Sequence, residues 1–494
     1  MRESGSAVIR FGPVIAILVA ACGCNFAPEY KRPSAEIPPV FKESDGWKAA
    51  EPAEAAIRGN WWEIFEDEQL NVLEASVDVS NQNVAAALAN LAAARAVVRQ
   101  SRSEFFPTVT AQPGVTRTRQ ANVNNFVTST TSGRRGTTTI YSLPFDANWE
   151  ADLWGKVRNT VAANSTEATA TLADLENTRL SIKAELASDY FQLRGLDAQR
   201  ELLNSTVTAY EESLRLARVR YDTGLASDQD VAQAETQLNT TKAQATDVGI
   251  QRAQLEHAIA VLAGKAPAEL SIPAAPLKAN LKRTPVSLPT TLLERRPDIA
   301  AAERRVASAN AQIGVARAAY FPALSLTGGA GFQSASLGSL ISSSAFTWAV
   351  GANLAETLFD AGRRRAVTEQ ARANYERTVA DYRQAVLTAF RDVENNLSTL
   401  RILEQEIEEQ DAAVKSSQRY LTLANDRYRL GIDSYLNIIA AQTSSLNNQR
   451  TAVNLRTQQA VATVQLIKAV GGGWTDAQLQ AASSSNSREQ RKSP

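Results

Sequence analysis

The chain has 494 residues, and Lys+Arg and Asp+Glu both total 52. That balance excludes a strong electrostatic pull towards nucleic acid or an acidic surface. Two cysteines near the N-terminus and a single histidine, His257, leave no material for a disulfide framework, a His-based metal site or a Ser-His-Asp triad, and no nucleophile–base constellation points to an enzyme.

Residues 1–23 read as a lipoprotein signal peptide. Arg2 and Arg10 supply positive charge, and the apolar run Val14–Ala21 is too short for a transmembrane helix. A cysteine at the cleavage point marks a leader whose thiol is acylated after export. Val19-Ala20-Ala21-Cys22 and Ala21-Cys22-Gly23-Cys24 both satisfy that pattern. Residues 24–68 then form a lipid-anchored, extended N-terminal segment. No later stretch of about 18 apolar residues exists, so any bilayer-spanning structure has to be a closed β-barrel.

From residue 69 onward the sequence occurs twice. Arg220-Tyr221-Asp222-Thr223-Gly224-Leu225 matches Arg427-Tyr428-Arg429-Leu430-Gly431-Ile432 at an offset of 207 (Tyr428 against Tyr221). Upstream, Phe105-Phe106-Pro107 matches Tyr320-Phe321-Pro322 at an offset of 215. The first repeat covers 69–264 and reads as a helix over Gln69–Glu104, a β-hairpin over 107–155, a long helix over Val157–Tyr221 and a helix over Asp228–Ala263. A linker follows at 265–290. The second repeat covers 291–474, with its hairpin at 322–358, and 475–494 reads as a disordered tail. Ala-, Leu-, Gln- and Glu-rich composition without internal Pro supports the helices. At 1.5 Å per residue the long one spans on the order of 95 Å, and its two partners about 55 Å each. Leu203, Val207, Tyr210, Leu214, Ala217 and Tyr221 recur at spacings of 4, 3, 4, 3, 4, as do Val414, Ser417, Leu421, Ala424 and Tyr428 in part, which makes a coiled-coil seam.

The hairpins alternate. Tyr141, Leu143, Phe145, Ala147, Trp149, Ala151 and Leu153 share one face of a strand, and Asp146, Asn148, Glu150 and Asp152 the other. Phe346, Trp348, Val350, Ala352 and Leu354 repeat the pattern, and Leu324, Leu326, Gly328, Ala330 and Phe332 follow it more weakly. An apolar outer face and an acidic inner face suit a water-filled membrane barrel, with Asp146, Glu150 and Asp152 in the lumen. Four strands cannot close a barrel, so the chain has to oligomerise. A dimer supplies eight strands and a trimer twelve, and periodicity does not choose.

These residues resemble the TolC-like outer-membrane efflux proteins, in the lipoprotein branch serving resistance-nodulation-division pumps. The likeness runs from about Gly23 to Trp474. It is carried by Gly23-Cys24-Asn25-Phe26-Ala27-Pro28, Trp61-Trp62-Glu63-Ile64-Phe65, Leu292-Leu293-Glu294-Arg295-Arg296-Pro297-Asp298-Ile299, Phe359-Asp360-Ala361-Gly362 and Gly471-Gly472-Gly473-Trp474. The resemblance implies a mainly α fold with a membrane β-barrel: a homotrimer with four barrel strands per chain and a long periplasmic helical tunnel. It favours Cys24 as the acylated residue, carrying palmitate in outer-membrane lipid. It also implies docking to a periplasmic adaptor protein and an inner-membrane pump, in a system that expels small toxic compounds or drugs and confers multidrug resistance. In the family the tunnel closes at the helix turns furthest from the membrane, which here carry Tyr221, Gly224, Asp228, Asp230, Tyr428, Gly431 and Asp433. The same positions suit ordinary turns, since Gly224 and Gly431 allow a tight bend and Ser227 and Ser434 stand where a helix cap is needed. Family members often carry acids where this chain has Asn437 and Ala440, so an acidic ring at 440 is absent. Replacing Asp230 and Asp433 together by Ala is expected to loosen the closed state. Outside efflux, an exit duct for a secreted polypeptide and a pore-less coiled-coil periplasmic scaffold share these sequence features.

Overall fold

The structure, a computed structural model, describes residues 25–35, 38, 40–43, 60–119, 137–277 and 295–474. The signal peptide, Cys22 and Cys24, residues 120–136 of the first hairpin, 278–294 of the inter-repeat linker and second repeat, and the 475–494 tail lie outside the described residues. After a 3₁₀ turn at Trp61–Phe65, the elements are α1 (Glu68–Ser80), α2 (Gln82–Ser103), β1 (Thr108–Ala111), β2 (Gly114–Arg119), β3 (Thr137–Ala151), α3 (Lys156–Asp222) and α4 (Asp228–Leu262). The second repeat supplies α5 (Pro297–Ala318), β4 (Ala323–Ser334), β5 (Phe346–Ala355), α6 (Arg363–Arg429) and α7 (Tyr435–Ala469). Among the described residues no helix is long and apolar enough to cross a membrane.

The duplication is exact in helix length. α3 and α6 each have 67 residues, and α4 and α7 each have 35. One expectation is corrected: Gln69–Glu104 is two helices, not one. The break falls at Asn81, whose backbone is extended (φ −69°, ψ 126°). Its Oδ1 accepts from the amides of Asn83 (2.9 Å) and Val84 (3.1 Å) and so caps α2. Its Nδ2 donates to the carbonyl of Leu262 (2.8 Å), at the end of α4. A single side chain thus starts one helix and satisfies the end of another.

The chain divides into two compact units. The first comprises Met1–Pro33, Ala92–Ala168 and Glu303–Ala380 and holds an antiparallel sheet in the order β1/β2, β3, β4, β5. β1 and β2 are two pieces of one strand. Thr108 lies opposite Asn148 and Gly114 opposite Ser142, so the register does not slip across the gap at 112–113. Pro113 has no N–H to give the ladder, and Pro144 lies across from the gap. Each junction between helix and strand is aromatic, and the N-terminal segment is sewn onto one of them. Phe26 stacks on Phe321 (4.2 Å, 14°), which in turn lies 5.1 Å from Trp154. Asn25 Oδ1 accepts from Asn159, Arg317 donates to the Phe26 carbonyl, and Tyr30 hydrogen-bonds Glu303.

The second unit comprises Ser34–Leu91, Thr169–Ala302 and Asp381–Pro494. Its core joins Trp61, Leu70, Leu73 and Val77 to Leu186, Tyr190 and Leu193 of α3, Ile259 of α4 and Val464 and Ile467 of α7. These are the positions that the helical period places on one face, and burying them is the main stabilising term. Beside the core, Asp197 accepts from Arg252 Nε (2.7 Å), Arg194 Nη1 (3.2 Å) and the Ala275 amide (3.1 Å). Arg194 also donates to the Pro273 carbonyl and Arg252 to that of Ile272. The cluster fastens the chain leaving the first repeat to α3 and α4. Arg296, from the Arg295-Arg296-Pro297-Asp298 motif, forks onto Asp298 (3.0 and 2.6 Å) and caps the Ala469 carbonyl at the end of α7 (3.0 Å).

Candidate functional site

Two places carry the features expected of a conduit: the faces of the sheet in the first unit and the paired helix turns in the second. In the sheet, register decides the outcome. Rows across the strands read Phe145–Ala330–Trp348, Leu143–Phe332–Phe346, Trp149–Leu326–Ala352 and Ala151–Leu324–Leu354. Between them run Thr110–Asp146–Gly329–Ala349, Thr108–Asn148–Thr327–Gly351 and Glu150–Ser325–Asn353. Because side chains alternate, all rows of the first kind lie on one face and all of the second on the other. A one-residue slip in any pair would mix them. Among the described residues the apolar face is open to solvent along β5, where Trp348 is 72% exposed and Val350 79%.

The three acids expected in the lumen differ in their surroundings. Asp146 stands exposed on the polar face, opposite Gly329. Glu150 shares that face and pairs with Lys156 (3.0 Å), a half-exposed ion pair. Asp152 lies past the last residue of β3, and its carboxylate accepts from the amides of Val157 (3.1 Å) and Arg158 (2.9 Å) and from Arg158 Nε (3.1 Å). It closes the start of α3 rather than facing open space on the strand. Asp360 does the same for α6, accepting from the Gly362 and Arg364 amides and from Arg364 Nε (2.7 Å). This explains the Phe359-Asp360-Ala361-Gly362 motif: the acid caps, and Ala361 and Gly362 make the bend.

Both helix turns in the second unit close in the same way. Gly224 (φ +73°) and Gly431 (φ +76°) adopt the left-handed conformation. Leu225 N–H donates to the Arg220 carbonyl (2.7 Å) and Ile432 N–H to that of Arg427 (2.9 Å). These are six-to-one bonds that consume carbonyls otherwise left unpaired at a helix end. The next helices start differently. Ser227 and Asp230 form a reciprocal capping box, which occupies the Asp230 carboxylate, whereas Ser434 makes no side-chain cap bond. Asp228 is exposed in the first turn of α4.

The matched tyrosines diverge. Tyr221 is 47% exposed, so the first seam ends at Ala217, one seam position early, while Tyr428 is 3% exposed. Tyr428 packs edge-on against Tyr435 (5.4 Å, 65°) in a cluster with Tyr210, Leu214, Ala217, Leu238 and Ile438. Among the described residues its hydroxyl has no hydrogen-bond partner, and burial together with nearby Asp230 holds its pKa above the usual tyrosine value. Asp433 is held by Arg427 Nε (2.5 Å), which lowers the acid's pKa. Asn437 and Ala440 are exposed. The sequence reading passed over the two arginines, Arg220 and Arg427. The available signal was the repeat itself: the same offset aligns the arginines but places Ala226 against Asp433.

Comparison with known proteins agrees with this geometry. The family described as outer membrane efflux protein matches residues 76–265 and 288–472. The chain is 33% identical over 464 residues to the toluene efflux pump outer membrane protein TtgC of Pseudomonas putida, covering 93% of this chain and 94% of that one. It is 32% identical to the outer membrane protein OprJ of Pseudomonas aeruginosa, covering 94% and 96%. The crystal structure of the Campylobacter jejuni CmeC outer membrane channel is similar with a TM-score of 0.84 at 25% identity, covering 95% of this chain and 98% of that one.

Proposed function

The chain belongs to the outer membrane efflux protein family, and from that premise we propose how its residues serve the role. It is an outer-membrane channel of a tripartite efflux system, extending into the periplasm. The family is one of channels, not enzymes. Conduction is passive, and the energy comes from the partner pump.

Three copies complete the barrel. The sheet of one chain ends in two edges, the outer sides of β1/β2 and of β5. Unpaired edges in lipid are untenable, because no water is present to satisfy their amides and carbonyls. A head-to-tail ring that joins β5 of one copy to β1/β2 of the next removes them. With four strands each, a trimer gives twelve, and its helices form the periplasmic tunnel. The observation that carries this reading is the register, which sorts the sheet into one apolar and one polar face. The apolar face meets lipid, and Asp146 and Glu150 face the lumen, where they favour cations mildly. Cys24 carries the acyl chain, and it directly precedes Asn25 and Phe26, which bind Asn159 and stack on Phe321.

The turns at Tyr221–Asp230 and Tyr428–Asn437 form the periplasmic constriction and the surface offered to an adaptor. Exposed Leu225 (69%), Leu430 (75%) and Leu436 (60%) supply apolar contacts there. Relatives named for toluene and antibiotic efflux suggest organic solvents and drugs as cargo, delivered by a resistance-nodulation-division pump. The test is reconstitution of the full chain in a planar bilayer. Cation-preferring channels are expected, with weaker preference in Asp146→Asn; silence at every voltage and pH would sink the reading.

A further inference from the structure

The core face of α1 contains an acid. Leu70, Leu73 and Val77 are the buried apolar residues of this helix, and Glu74 between them is 0% exposed. Among the described residues neither of its carboxyl oxygens has a hydrogen-bond partner. The core that α1 joins is apolar and aromatic: Trp61 and Trp62 of the 3₁₀ turn, Leu186 and Tyr190 of α3, Ile259 of α4 and Val464 of α7. A carboxylate in such a place bears its full desolvation cost, because nothing replaces the lost water, whereas a neutral acid loses far less.

The charges near it are already committed. Lys183 of α3 and Asp78, one turn further along α1, both act on Glu74. Lys183 Nζ bonds Asp78 (2.7 Å) and stands 4.4 Å from the centre of the Trp62 ring. Arg179, one turn before Lys183, bonds Glu176 (2.8 Å) and lies 3.7 Å from the same Asp78. At the start of α1, Asp67 accepts from the amides of Gln69 and Leu70, and Tyr190 takes a bond from Arg194 (2.9 Å). The residues of α4 and α7 in this core carry no charge. The one nearby ammonium thus serves Asp78, and burial decides for Glu74: its carboxyl is held well above the usual carboxylate range.

We propose that Glu74 is a proton-binding site that governs how tightly α1 is held in the second unit. With the proton on, a neutral side chain lies in the core and Lys183 stays on Asp78. With the proton off, the carboxylate reaches water only if α1 turns or lifts from the core. The helix can do this by itself: it has 13 residues, Asp67 caps its start, and the extended backbone of Asn81 separates it from α2. An acid whose proton is held more firmly in the folded state has no effect below its unfolded value of about 4.3. Above that value it weakens the fold as pH climbs, until the proton is gone. α1 is therefore gripped at acid pH and released towards alkaline pH, the reverse of what a lowered carboxyl such as Asp433 gives.

Amide hydrogen exchange of α1 is followed in the full-length protein from pH 5 to pH 8, each rate divided by the intrinsic rate at that pH. The opening of α1 is expected to rise about tenfold per pH unit until the proton is lost, the limit for one linked proton. Glu74→Gln keeps the shape of the neutral acid and should flatten the rise. Glu74→Leu should flatten it too, with slower opening at every pH. Asp189→Asn removes the raised carboxyl of α3, and the rise should survive it. At pH 5 the infrared difference between the parent and Glu74→Gln should contain the carbonyl band of a protonated carboxyl, which an ionised Glu74 would not give. If Glu74→Gln does not fold, Glu74→Leu takes its place in both measurements with the same sign. Exchange of α1 that is independent of pH in the parent, a rise that persists without Glu74, or absence of the band would overturn the proposal.

Discussion

Asp197 offers the sharpest energetic test of the second unit. Its side chain is 2% exposed and receives three donors, two of them guanidinium groups that are themselves 6% and 13% exposed. Asp197→Ala leaves Arg194 with the Pro273 carbonyl and the Tyr190 hydroxyl, and Arg252 with Glu256 and the Ile272 carbonyl. Removing one partner of a buried ion pair costs about 3–5 kcal/mol. Since both arginines keep other acceptors, the lower end applies, about 3 kcal/mol. The loss is local, because the carboxylate also holds the Ala275 amide at the exit from the first repeat. Amide hydrogen exchange of Ile272 and Ala275 should therefore speed up by about a hundredfold, the factor that 3 kcal/mol implies for local opening. Asp197→Asn keeps an acceptor and should show a smaller effect. Glu212, in a fully exposed pair with Arg215, is the control, and its removal should not change exchange measurably. Exchange in Asp197→Ala within threefold of the parent would refute the reasoning, because the cluster would then be decoration on a joint held by the apolar core alone.

Two further outcomes follow from the sheet and from α3. Val350→Arg, on the apolar face, should cost about 2–4 kcal/mol in lipid and depress trimer yield in outer-membrane fractions, while Asn353→Arg on the polar face should assemble near parental levels; equal yields would mean that the faces are misassigned. Asp189 is pushed up to about 6 by burial and by the neighbouring Glu185 charge. A carboxyl raised above its unfolded value of about 3.9 is neutral without cost at low pH and destabilises as pH climbs through 6. Asp189→Asn should thus raise the melting temperature near pH 8 and leave it unchanged near pH 4; a gain of the same size at both would remove ionisation as the cause.

Much of this fold was legible because the chain states it twice. Matching Tyr221 to Tyr428 delimited helices whose lengths agree to the residue, and strict alternation from Tyr141 exposed the strand faces. What stayed illegible depends on partners far away in sequence. Asn81 sits within a run whose composition suits helix throughout, and the break is sustained by the Leu262 carbonyl, 181 residues on. Alternation also continues past the end of β3, since a period of two says nothing of where a strand stops. Asp152 fits the rhythm, but the amides of a starting helix claim it. The turns show the same limit: proximity in sequence pointed to Asp433, and the contact between turns is made by an arginine 208 residues from its acceptor.

The exchange of Asp433 for Ala226 between the two turns has a consequence for inheritance. Two copies of one unit start as equals, and an arginine that satisfies itself in each gives neither a reason to touch the other. With Ala226 where the other turn has Asp433, Arg220 takes its acceptors from the sister turn. The repeats have thereby become donor and recipient, no longer interchangeable. A chain rebuilt from two second repeats would fold both turns and brace neither.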